Sequence, residues 1–189
     1  MQHALLCGDK TRYEALWDAL TSRGLDVLRY TENDAKEQAA WADLVVFLPP
    51  PQAKAAERSI VELNDWEAAA HTYDEIVCGF LRTIHSLLPT LRKDARIAIW
   101  THADASVNQC DDTGDFARRM SLAAANMAAV LMFHELRSSG YSMRVCAARD
   151  ADYAADCFLR NRSYEPDNLP HSDEERLSMR GEWGMEMPW

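Results

Sequence analysis

No apolar run in the 189 residues approaches the roughly 20 needed to cross a bilayer, so no spanning helix is expected. Basic residues are in deficit: 20 Lys and Arg stand against 30 Asp and Glu. The resulting net charge of −10 repels nucleic-acid backbones and anionic membranes alike, so neither is expected as a partner. The patterns of metal and hydrolytic chemistry are missing, with no H-E-x-x-H, no G-x-S-x-G and no paired-histidine spacing. No metal site is therefore expected. The five cysteines (Cys7, Cys78, Cys110, Cys146, Cys157) are odd in number and form no C-x-x-C. In apolar strand and helix positions a reduced cysteine behaves as a small hydrophobe, so no structural disulfide is expected. The N-terminal MQHALLCGDK lacks a basic stretch leading into a long apolar core. Together these absences give the expectation of a cytoplasmic protein.

What is present is ordinary for a globular chain, with 48% hydrophobic and 26% charged residues over a length that suits one domain, 1–189. Residues 3–7 (HALLC) read as a short apolar strand closed by Gly8. Thr11-Arg-Tyr-Glu14 has the S/T-x-x-E form of a capping box, opening a helix to about residue 22. Residues 25–30 form a second strand, 33–41 a short helix, and 43–48 a fully apolar strand that exits through Leu48-Pro-Pro-Pro51. That proline run makes a rigid strand exit and is too short for a recognition segment. Residues 53–61 are helical or partly ordered, and a long helix spans 64–91 with Pro89 near its end. The organising stretch follows: a buried strand at 96–100, an acidic loop, a small-residue helix at 115–136, a Gly turn and a strand at 142–147. Strand, helix, parallel strand implies a sheet covered by helices on both faces. Residues 161–175, polar and proline-containing, read as a flexible loop, and 179–189 supply a possible last strand. The fold class is α/β, a Rossmann-like doubly wound parallel sheet.

The frame resembles the short-chain dehydrogenase/reductase family along nearly the whole chain. The family's Tyr-x-x-Ser-Lys-Ala-Ala-x-Asn-Met helix pattern aligns with residues 118–127, RRMSLAAANM. That alignment puts Arg118 in the place of the catalytic tyrosine and Leu122 in that of the lysine. The family opens with Gly-x-x-x-Gly-x-Gly around the pyrophosphate; here only Gly8 remains, and the other two glycines fall on Arg12 and Glu14. A strand and helix that the family carries between residues 41 and 43 have no room here, so the sheet is shortened by one strand-helix unit. The Asn-Asn-Ala-Gly loop is replaced by the proline exit, and the relay asparagine falls on Ile76. The ending GEWGMEMPW resembles the Asp-Gly-x-x-Leu-Pro-Trp close of the C-factor-like branch.

What the resemblance implies about chemistry is then mixed. It implies an NAD(P) site on Gly8, Asp9 and Arg12, yet lacks the glycines that let amides reach phosphates at a helix N-terminus. Glu14 would cap those amides with its own carboxylate. An arginine stays protonated at working pH and cannot act as the tyrosine does, and leucine supplies no charge. The loop after the 96–100 strand sits where open sheets bind ligands. The candidate pocket is Thr101, His102, Asp104, Ser106, Arg118 and Ser121, with Asn108, Asp111 and Asp112 in the same loop. One reading makes it an acid/base or ligand site, with His102 as base and Arg118 as anion clamp. The other makes it a solvated acidic loop with Asp115 capping the helix.

Small residues on successive turns of 120–133 let a partner helix approach closely. In the family, that helix and the one before it form a four-helix interface. The resemblance therefore implies a homo-oligomer, or pairing with a short-chain dehydrogenase paralogue, through helices 77–88 and 115–136. Two functions stand against each other: a non-catalytic binding or assembly module, with no cofactor, and an NAD(P)-dependent oxidoreductase for a small carbonyl or alcohol with a rearranged site. A small-molecule sensor using the same pocket is a variant of the first.

Overall fold

The structure is a computed structural model that describes residues 1–9, 12–50, 60–109, 114–160 and 173–189. Five apolar segments form parallel strands: β1 (His3–Gly8), β2 (Asp26–Arg29), β3 (Leu44–Leu48), β4 (Arg96–Trp100) and β5 (Ser142–Cys146). β6 (Met179–Arg180) adds parallel to β5, and β7 (Glu186–Met187) turns back antiparallel, giving the order β2-β1-β3-β4-β5-β6-β7. Among the described residues one strand, β2, lies outside β1, in keeping with a sheet shortened by one strand-helix unit.

Alternation along the central strands buries both faces, which is why β3 and β4 read as continuous hydrophobic runs. One set, including Leu5, Val45, Ile97 and Val145, packs under α2 (Ala35–Trp41), α4 (Gly79–Leu87) and α5 (Phe116–Leu136), and α3 (Trp66–Tyr73) packs beside α5. The alternate set, including Leu6, Val46, Ala98 and Cys146, packs under α1 (Tyr13–Thr21) and α6 (Ala151–Leu159). The sheet is doubly wound. Cys7, Cys78, Cys146 and Cys157 are free thiols, and Cys110 lies outside the described residues.

Several local expectations change. α1 has Arg12 as its cap residue, with no side-chain cap bond from Arg12; Thr11, the first residue of the expected capping box, lies outside the described residues. The long helix is shorter than 64–91 and passes between α3 and α4 through a π-turn at Asp74–Cys78. Asp115 is the α5 cap residue, but in a left-handed conformation (φ 50°) with no side-chain cap bond. α6 has no counterpart in the sequence reading; Asp150 caps it by accepting from the amides of Asp152 and Tyr153.

Of the polar 161–175 segment, residues 161–172 lie outside the described residues. The remainder is anchored: Asp173 accepts from Arg180 and Glu174 from Arg144, and both arginines are buried in the sheet. Arg96 joins them, donating to the carbonyls of Phe158 and Arg160 at the end of α6. Burial, then the neighbouring Arg144, pulls the Arg96 guanidinium down to about 10.

The close approach that shapes the binding edge is at Gly8. Its φ is +102°, and a Cβ there would stand 2.2 Å from the Leu48 carbonyl oxygen. The Asp9 amide donates to that same oxygen at 2.8 Å. Gly8→Ala therefore strains the backbone and forces β1 from β3; denaturant unfolding should show a loss of about 2–3 kcal/mol.

Candidate functional site

The carboxyl ends of β1, β3, β4 and β5 form one edge of the sheet. The connections from β1 lead to one side and those from β3 to the other, so the ligand-binding crevice of an open α/β sheet opens between them. Arg12, at the start of α1, reaches across this edge. Its Nη1 donates to the Trp100 carbonyl at 2.8 Å, and its guanidinium carbon lies 3.9 Å from the Trp100 ring centroid. The ring is also held at its edge, since Trp100 Nε1 donates to the Ala148 carbonyl at 2.7 Å. Burial, then repulsion from Arg118, draws the Arg12 guanidinium down to about 10, with Cys146 and Asp9 acting in the opposite sense. It remains a cation near neutral pH. Glu14 is exposed on the first turn of α1.

The loop after β4 brings together four of the six candidate pocket residues. Thr101 is fully buried, its amide bonded to the Cys146 carbonyl at 2.8 Å. His102 and Asp104 face each other, with Nδ1 at 3.0 Å from Oδ2 and at 3.2 Å from the Asp104 amide nitrogen. A neutral Nδ1 accepts from the amide; a protonated one turns to the carboxylate. Arg118, 6% exposed, donates to Asp104 Oδ2 at 3.2 Å and stands 3.8 Å from Asp115. Arg119 approaches the other Asp104 oxygen at 3.9 Å. Asp104 is the hub.

The remaining two are engaged elsewhere. Ser106 donates to the Pro188 carbonyl at 2.7 Å, and Asn108 Nδ2 donates to the Trp189 oxygen at 2.7 Å, so the 106–109 turn serves as a latch for the last residues. Ser121 donates back to the Ala117 carbonyl at 2.6 Å within α5. Asp111 and Asp112 lie outside the described residues. Leu122 and Ile76, at the lysine and asparagine positions of the alignment, are core residues.

Sequence reasoning missed the partners that define the edge: Trp100 as the platform for Arg12, Arg149 beside His102, and the Pro188–Trp189 latch. Trp100 carried the one usable signal, a large aromatic residue closing an apolar strand. The His102 imidazole sits below its ordinary pKa because of burial; Asp104 raises it, while Arg118, Arg12 and Arg149 push it down.

No family model and no curated protein matches the sequence. Solved structures do match the fold. A chain from Burkholderia multivorans, assigned as a short-chain alcohol dehydrogenase, superposes with a TM-score of 0.80 at 14% identity, covering 100% of both chains. A carbonyl reductase from Pseudomonas aeruginosa PAO1, in complex with NADP, gives 0.70 at 14% identity and also covers 100% of both chains. The carbonyl reductase Sniffer of D. melanogaster gives 0.68 at 13%, covering 100% of this chain and 88% of that one.

A proton titration of His102 by NMR should place its midpoint below the ordinary value of about 6.5. Asp104→Asn removes the group that raises it and should lower the midpoint further; Arg149→Gln should raise it. The folded pKa is depressed, so the unfolded chain takes up this proton first as the pH falls. The site therefore subtracts stability below about pH 6.5 and nothing well above it. These seven strands and their covering helices carry the fold of the short-chain dehydrogenase/reductases.

Proposed function

We propose that this chain is a non-catalytic binding and assembly module built on the short-chain dehydrogenase/reductase fold. The observation that carries the reading is Arg12 lying across the crevice, bonded to the Trp100 carbonyl and stacked on its ring. Dinucleotide diphosphates need open amides and glycine backbone at that helix start. Arg12 and Glu14 stand where two of those glycines would be, so the residues present do not fit the cofactor in the family's manner. At the position of the catalytic tyrosine, Arg118 is buried in an ion pair with Asp104, and Leu122 offers no charge. Neither supplies a proton at neutral pH.

Assembly is supported by the outer face of α3, α4 and α5, where α3 and the π-turn pack beside α5. Met120, Met127 and Leu131 project from α5 with exposures of 67%, 59% and 63%, and Trp66, Tyr73 and Leu81 project from α3 and α4. These exposed apolar residues on three helices are what a second copy of the chain, or a paralogue of the same fold, covers by isologous packing.

A second reading, an NAD(P)-dependent oxidoreductase acting on a small carbonyl or alcohol, is favoured by the half-exposed His102–Asp104 pair at the crevice rim. Among proteins of this fold, the P. aeruginosa carbonyl reductase was solved with NADP.

Sedimentation velocity on the full chain should give a dimer. The double variant Met127→Glu, Leu131→Glu should be monomeric with unchanged circular dichroism. A wild-type chain that stays monomeric at every concentration contradicts assembly. NADPH-dependent turnover of carbonyl substrates that vanishes in His102→Ala would establish the second reading instead.

A further inference from the structure

At the opposite edge of the sheet, where the amino ends of β4 and β5 meet the end of α5, lies a cavity of about 520 Å³. Arg96 and Ser142, paired as the first residues of those two strands, both line it. Arg96 is 4% exposed, and its hydrogen-bond partners among the described residues are all neutral oxygens. Nε donates to Ser142 Oγ at 3.1 Å, and Nη1 donates to the carbonyls of Phe158 and Arg160 at 2.5 and 2.7 Å. The remaining nitrogen, Nη2, donates to none of them. A guanidinium buried without a carboxylate partner is unfavourable, and an anion brought to it relieves that.

Two further donors complete the set. The Ser142 hydroxyl accepts from Arg96 and donates to no described residue, so an unspent O–H stands beside the unspent Nη2. Arg137, exposed just past the last turn of α5, spends only Nη1, on the Glu175 carbonyl at 3.3 Å. Its charge also offsets the carboxyl terminus of α5, which by itself repels anions. Two carboxylates line the cavity, and each is already paired: Asp94 stands 3.4 Å from Arg92, and Glu174 accepts from Arg144. Away from the donors the wall is aromatic. Phe133 lies under the Arg137 guanidinium, and the Tyr141 hydroxyl donates to the Leu91 carbonyl at 3.2 Å, which fixes that ring.

We infer that this cavity binds a small monocarboxylic acid with an aromatic body. The carboxylate takes Arg96 Nη2 and the Ser142 hydroxyl, Arg137 meets it from the solvent side, and the body lies against Phe133 and Tyr141. A volume in this range suits a small ligand. The site is separate from the crevice, since it uses the other end of β4, and it stands whether or not the crevice admits a dinucleotide.

The test is calorimetric titration of the full chain with phenylacetate, its neutral isostere phenylacetamide, and the amine phenethylamine. Phenylacetate should saturate and the other two should not. Ser142→Ala removes one donor and should weaken phenylacetate binding about tenfold. Arg137→Gln, at an exposed position that leaves the fold intact, should weaken it several-fold. In two-dimensional NMR, the amides of Ser138, Gly140 and Ser142 should shift on titration while those of Gly8 and His102 stay fixed. Equal or tighter binding of phenylacetamide or phenethylamine, affinity unchanged in both variants, or shifts centred on His102 would overturn the inference. So would the absence of saturation at millimolar phenylacetate. None of these results touches the reading of the crevice, which NADPH binding decides.

Discussion

Arg12 lying on Trp100 is the contact on which the reading of this molecule depends. A guanidinium gives up much of its hydration to lie there, which is why burial draws its pKa down. It is compensated by one carbonyl hydrogen bond and by the indole face, a cation–π contact worth about 1–2 kcal/mol when partly desolvated. The carbonyl belongs to the last residue of β4, so the side chain links the start of α1 to a strand two places away in the sheet. The opening of the crevice is thereby crossed by the protein itself.

The neighbouring chemistry follows from the same crowding of positive charge. Arg12, Arg118 and Arg149 all act on His102, and Asp104 offsets them by facing His102, Arg118 and Arg119 together. A carboxylate serving that many cations is a structural hub before it is anything else.

Much of the fold was legible because both faces of the central strands are buried, which writes continuous apolar runs such as LVVFL and RIAIW into the sequence. The shortened sheet was legible from spacing: nothing between residues 41 and 43 holds another strand. What escaped were features set by tertiary contact. Helix α6 is nine residues rich in alanine and aspartate with a modest apolar stripe, and its register comes from packing on Ala98, Trp100 and Cys146. The π-turn leaves no mark in local composition. Ser106 and Ser121 were plausible as site hydroxyls by position, but a nearer carbonyl claims each one. Asp115 looked like a cap, yet its left-handed backbone accompanies a carboxylate within 3.8 Å of Arg118. Thr101, His102, Asp104 and Arg118 could be placed at the carboxyl edge from the sequence because a strand end and the next helix start must meet there.

The most direct measurement is calorimetric titration of NADPH into the wild-type chain and into Arg12→Gly. The account predicts no saturable binding to the wild type and measurable binding once the guanidinium is removed. Micromolar binding to the wild type, undiminished or weakened by Arg12→Gly, would contradict it and make Arg12 a cofactor contact.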